Sequence, residues 1–159
     1  MIKKDALISD CEKYRYWLSR EWDSKEKKCL FIMLNPSTAD DKQDDPIIRR
    51  CIFFAKKFGY GSLYVTNLFA YRATDKSEIR QVPNPIGSEN DEHILRLAHK
   101  CDKNITAWGN DGSFGDRSKQ IKNMLTKNSF ELFGLKITKN NEPAHPLYLP
   151  NDSKLTKLS

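Results

Sequence analysis

Four short polar segments of the chain have the residue types to do chemistry, and each directly follows an apolar run. They are Asn35-Pro36-Ser37-Thr38-Ala39-Asp40, Asn67 with Tyr71-Arg72-Ala73-Thr74 beyond it, Gly109-Asn110-Asp111-Gly112, and Pro143-Ala144-His145-Pro146-Leu147-Tyr148. An amide that ends an apolar run, as Asn35 and Asn67 do, must find partners or carry a desolvation cost. A primary amide is both donor and acceptor, so it can orient a water or read the edge of a base. The plainer alternative is that each caps a turn. His145 lies between Pro143 and Pro146 on a stretch that cannot be helical, which restricts where its ring can go. There it could act as a general acid or as a neutral donor to a developing anion. A structural bond to backbone is the alternative. His93 and His99 fall on the polar face of an expected helix and are read as solvated.

Other groupings are less telling. Asp40, Asp41, Asp44 and Asp45 invite a Mg²⁺ reading, but Asp45 is placed to cap a helix and the rest suit an ordinary loop, so no metal is expected. Arg49, Arg50, Lys56 and Lys57 surround Phe53 on one helix face, a basic patch with an aromatic that suits single-stranded or distorted nucleic acid. Equally, an N-terminal Tyr/Trp arm could cover Phe53 and leave the cations solvated. The stretch from Gly109 to Gly115 could cradle a phosphate, yet it lacks a Walker lysine and a Gly-x-Gly-x-x-Gly pattern; a helix-entry loop explains it as well. Cys11, Cys29, Cys51 and Cys101 have neither Cys-x-x-Cys pairs nor His at ligand spacing, so buried free thiols are expected rather than zinc. No cofactor is expected.

Three apolar runs position these segments. Residues 30–34, 63–68 and 104–108 read as parallel strands buried on both faces. Residues 130–138 alternate later in their length and read as an edge or hairpin strand. Between them come a helix capped by Asp45, with Pro46 in its first turn and Gly59 past its end, a second from about residue 88 to 100, and a third starting near residue 115. Residues 14–18 and Trp22 read as a strand or hairpin arm. This alternation implies an α/β fold, a three-layer helix–sheet–helix sandwich around a short, mostly parallel sheet. In such sheets ligands bind beyond the carboxyl ends of the strands, where all four polar segments fall.

The chain has 159 residues, 38% hydrophobic and 30% charged. At about 100–200 residues per domain, that is one domain spanning 1–159. The balance excludes a disordered chain or a collagenous repeat. No run approaches the roughly 18–20 apolar residues of a membrane span. Asp5, Asp10 and Glu12 interrupt any signal-peptide core, so a cytoplasmic protein is expected. Lys and Arg total 27 against 21 Asp and Glu, a net charge of +6 that favours a polyanionic partner such as nucleic acid.

The segments from Leu34 to Asp40, from Asn67 to Thr74, Asp45-Pro46 with Arg49-Arg50-Cys51, Gly59-Tyr60-Gly61, Trp108-Gly109 and His145-Pro146-Leu147-Tyr148 together resemble a bacterial and phage family of unknown function, DUF1643. More distantly, the order of motifs resembles the uracil-DNA glycosylase superfamily, which implies a glycosylase-like version of the sandwich. On that likeness Asn35 positions the attacking water, Pro36, Ser37 and Trp108 flank the base, and Asn67 reads it. His145 would hydrogen-bond the departing base and Leu149, or Tyr148, would wedge into the duplex. Arg49, Arg50, Phe53, Lys57 and Arg72 would complete a nucleic-acid-binding set. The sequence departs from that pattern twice: the first motif has no aspartate, and Leu147-Tyr148 replaces Ser-Pro in the last. Three readings follow. The first is a glycosylase-like hydrolase acting on a modified or mismatched base in DNA, the second a hydrolase or transferase of free nucleosides or nucleotides, the third a catalytically silent nucleic-acid-binding module.

Overall fold

A seven-stranded mixed sheet forms the centre of the computed structural model, which describes residues 1–158. Its strands are β1 (Lys3–Ile8), β2 (Arg15–Glu21), β3 (Lys28–Met33), β4 (Ser62–Asn67), β5 (Lys103–Thr106), β6 (Leu132–Gly134) and β7 (Thr156–Lys157), in the order β1-β2-β4-β3-β5-β6-β7. β4, β3, β5 and β6 pair in parallel, whereas β1 with β2, β2 with β4, and β6 with β7 pair antiparallel. The expected parallel centre is therefore present, but the sheet is longer than expected and half of its pairings are antiparallel. The N-terminal arm is the reason on one side. β1 and β2 make a hairpin that joins the sheet edge through Leu18 opposite Val65.

Three helices cover the sheet. α1 (Pro46–Lys57) starts where Asp45 accepts the Ile48 N–H at 2.9 Å, with Pro46 in the first turn and Lys56 and Lys57 in the last. It ends at Phe58, before Gly59 at φ 86°. Its stripe of Ile48, Cys51, Phe54 and Ala55 packs on Phe31, Met33, Leu63 and Val65. α2 (Asn90–Lys100) and α3 (Arg117–Lys127) cover the opposite face, where Ile94, Leu97, Ile121 and Leu125 meet Leu30, Ile32 and Leu132. Apolar residues thus alternate between two cores along β3 and β4, as a sheet covered on both faces requires.

Several expectations need correction. β6 has only three residues rather than the nine of 130–138, and β7 covers it, so it is not an edge. Cys29, Cys51 and Cys101 are buried free thiols, but Cys11 is exposed. His93 is half-buried with its ring 5.2 Å from that of Tyr16, and the exposed His99 sets its ring against Phe130 at 4.8 Å. Phe53 is not covered by the N-terminal arm; it stays 38% exposed. Among the described residues no helix is long and apolar enough to cross a membrane, and no group of His, Cys, Asp and Glu is arranged to hold a metal ion.

Candidate functional site

β3 runs in the middle of the parallel strands, with β4 on one side and β5 on the other. The loops leaving β3 and β5 therefore diverge, and a crevice opens beyond their carboxyl ends. At that point the structure has a cavity of about 700 Å³, lined by Asn35, Ser37, Lys76, Asn110, His145 and Tyr148 among others. A much smaller cleft of about 10 Å³ lies deeper, and Asn35, Ser37, Ile47 and His145 line both. Arg15, Asp45 and Asn67 line only the inner cleft.

Each wall has a local cause. Met33 and Asn67 are register partners at the ends of β3 and β4. The end of β4 is fixed from below, since the buried Asn90 amide donates to the Asn67 and Leu68 carbonyls at 2.8 and 3.1 Å, and Arg117 Nε donates to Leu68 at 2.8 Å. Gly109 turns the chain after β5 at φ 77°, ψ −175°, a conformation essentially confined to glycine, and its N–H donates to the Pro143 carbonyl at 2.8 Å. That bond brings the His145 loop over the crevice. Trp108 is 1% exposed, and its indole N–H donates to the buried Glu142 at 3.1 Å. It touches the cavity as part of the wall and has no free donor for a base.

The predicted chemical residues come together only in part. Asn35 is half-buried; its Nδ2 donates to the Pro36 and Ala73 carbonyls at 3.0 and 2.9 Å, so both amide hydrogens are occupied and Oδ1 alone remains. Pro36 is buried and lines neither space, whereas Ser37 lines both. Asn67 is 1% exposed, and neither its Nδ2 nor its Oδ1 has a hydrogen-bond partner. Buried polar atoms are rarely left so, and those that are call for an explanation. His145 Nδ1 accepts the Leu147 N–H at 3.3 Å, which places the proton of the neutral ring on Nε2. Burial, helped by the nearby Lys76, holds its pKa below the ordinary 6.5 against the pull of Asp45. The ring is thus a neutral donor at pH 7.

The nucleic-acid set is largely committed elsewhere. Arg50 donates to the Pro146 carbonyl at 3.3 Å, to the Asn151 side chain at 2.6 Å and to the Leu149 carbonyl. Lys57 donates to the Asn151 and Ser153 carbonyls, and Arg72 to the Glu12 carbonyl at 3.2 Å. These cations strap loops together because segments distant in the chain, 146–153 for Arg50 and Lys57 and Glu12 for Arg72, supply acceptors that local periodicity does not reveal. Arg49 and Phe53 remain exposed on α1. Leu149 packs against the core beside α1, while Tyr148 is 92% exposed at the cavity rim, so Tyr148 is the side chain that projects. Arg50→Ala is expected to leave the salt dependence of any DNA binding unchanged and to raise amide exchange tenfold or more over residues 146–153, measured by hydrogen–deuterium exchange. A flatter salt slope with unaltered exchange would return Arg50 to the phosphate set.

The residues that sequence reasoning did not place here are Arg15 and Asp45. Asp45 was visible as a helix cap, in an acidic cluster and in the Asp45-Pro46 motif, and Arg15 only as part of the arm. The span from Arg15 to Leu147 matches the family described as protein of unknown function, DUF1643. The chain belongs to this family. No curated protein and no solved structure matches it. All the residues that line the inner cleft of this DUF1643 protein fall within the matched span.

Proposed function

We propose that this protein binds a nucleobase in the crevice beyond β3 and β5 and hydrolyses its N-glycosidic bond, with a modified or mismatched base in DNA as substrate. The observation that carries this reading is the Asn67 amide, whose two polar atoms are buried in the wall of the inner cleft, which shares Asn35, Ser37, Ile47 and His145 with the crevice, and have no partner in the protein. A base edge with an adjacent donor and acceptor would satisfy both at once. His145 supplies the second element, a neutral Nε2–H for the charge that grows on a departing base. The cavity of about 700 Å³ lies within the usual range for small-molecule sites. The exposed Tyr148 at its rim suits a group that fills the stack when a base is extruded. The order of motifs at the strand ends supports a uracil-DNA glycosylase-like arrangement.

One observation favours a second reading, hydrolysis or group transfer on free nucleosides or nucleotides. Arg50 and Lys57 already serve backbone carbonyls, which leaves few cations beside the crevice for a phosphate chain. Mass spectrometry of base release over free nucleosides, nucleotides and DNA carrying uracil, mismatches or modified pyrimidines separates the two. Release from DNA, lost in Asn67→Ala, is the expected result. Release from nucleosides alone selects the second reading. Salt-sensitive DNA binding without release from any substrate makes the protein a binding module and ends the hydrolase proposal.

A further inference from the structure

Asp45 does more than start a helix. Its carboxylate is 5% exposed; Oδ1 accepts the Ile48 N–H at 2.9 Å and Oδ2 the Ala39 N–H at 3.2 Å. An ionised carboxylate has about four acceptor directions, so two remain. It lines the cleft of about 10 Å³, which is the size of a single water. The other walls hold unused hydrogen-bonding groups: both polar atoms of Asn67, and Nε of Arg15, which is 2% exposed. Burial pulls the Arg15 guanidinium down to about 10, so it is still a cation at neutral pH. Asn35, the residue that motif order nominates for the water, has both amide hydrogens tied to carbonyls.

We infer that the inner cleft holds the attacking water and that Asp45, rather than Asn35, takes its proton. This inference rests on the hydrolase reading above. In the step, the water oxygen bonds to the anomeric carbon as the glycosidic C–N bond breaks. The electron pair of that bond leaves with the base, which His145 Nε2–H receives with a hydrogen bond. The water proton passes to the Asp45 carboxylate and from there to solvent, and the released base takes up a proton from solvent. Arg15 Nε–H supplies a second partner for the buried water beside Asp45, and the Asn67 amide is left to the base edge. The Asp45 charge also opposes the positive charge that develops on the sugar in such a transition state.

The test is Asp45→Asn, which keeps an oxygen to cap α1 but removes the base. Base release is expected to fall at least 10²-fold, the lower end of a general base's contribution. Affinity for the nucleobase that the wild type releases, measured by calorimetry, is expected to stay within about threefold. Asp45→Ser, a cap without a carboxylate, gives the same result if the asparagine variant folds poorly. Release within fivefold of wild type in either folded variant overturns the Asp45 assignment and leaves the hydrolase reading standing. Equal losses of release and binding also overturn it, as a structural role. A wild type that releases no base from any substrate overturns the hydrolase reading itself, and the role of Asp45 with it.

Discussion

Base release by a His145→Ala protein is expected to be 10²–10³-fold slower than by the wild type, with the fold retained. That is the usual loss when one preorganised donor to a developing anion is removed. The structure fixes this donor in two ways. The Leu147 N–H on Nδ1 leaves Nε2 as the protonated nitrogen, and the Pro143 and Arg50 contacts hold the loop that carries the ring. Single-turnover base release is the measurement, and a loss of less than tenfold would remove His145 from the chemistry. The same residue shapes stability against pH. Its folded pKa lies below the ordinary 6.5, so between those values the unfolded chain binds more protons than the folded one. The stability tied to a neutral His145 is complete above about 6.5 and is lost as pH falls through the folded value. Thermal melts of wild type and His145→Ala should therefore converge as the pH is lowered through that window.

Replacing Arg20 should have the largest effect on the fold. Its side chain is fully buried and holds the loop before α1: Nε pairs with Asp44 at 2.7 Å, and Nη2 donates to the Asp40 and Gln43 carbonyls at 2.6 and 3.0 Å. Arg20→Met leaves Asp44 with Lys4 alone, at 3.3 Å, and the Asp40 and Gln43 carbonyls without their side-chain donor; removing one partner of so buried an ion pair costs about 3–5 kcal/mol. At roughly 2–4 °C per kcal/mol for a chain of this size, the melting temperature should fall by about 6–20 °C. Arg20→Lys should not restore it, because an ammonium cannot reproduce the planar fork. Since the same loop leads into Asp45, activity should decline further than the loss of folded protein explains. A melting temperature within about 2 °C of wild type would show that the loop holds without the fork.

How much of this was legible in the sequence depended on distance along the chain. α1 could be read almost to the residue, because its cap, its proline and its terminating glycine all act within a turn of where they stand. β3, β4 and β5 were legible as apolar runs, and the rule that ligands bind beyond parallel strands was enough to bring Asn35, Asn67 and His145 to one crevice. Arg15 and Arg20 were not legible. A charged residue in a strand reads as solvent-facing, and the acceptors that bury these two lie in the Ala39–Asp44 loop. Arg50 and Lys57 misled for the same reason, since their partners follow about a hundred residues later, in the 146–153 segment. β6 was read too long because alternation continues past Gly134, where β5, itself four residues long, no longer offers a pairing partner.

On the nucleobase reading, Asn67 sets durability against recognition in a single side chain. A buried polar group without a partner costs the folded state about 1–3 kcal/mol, and an apolar side chain of similar shape would remove that cost. Selection for heat resistance alone would favour leucine at this position, and on the nucleobase reading proposed above the sturdier descendants would have lost the group that reads the base edge.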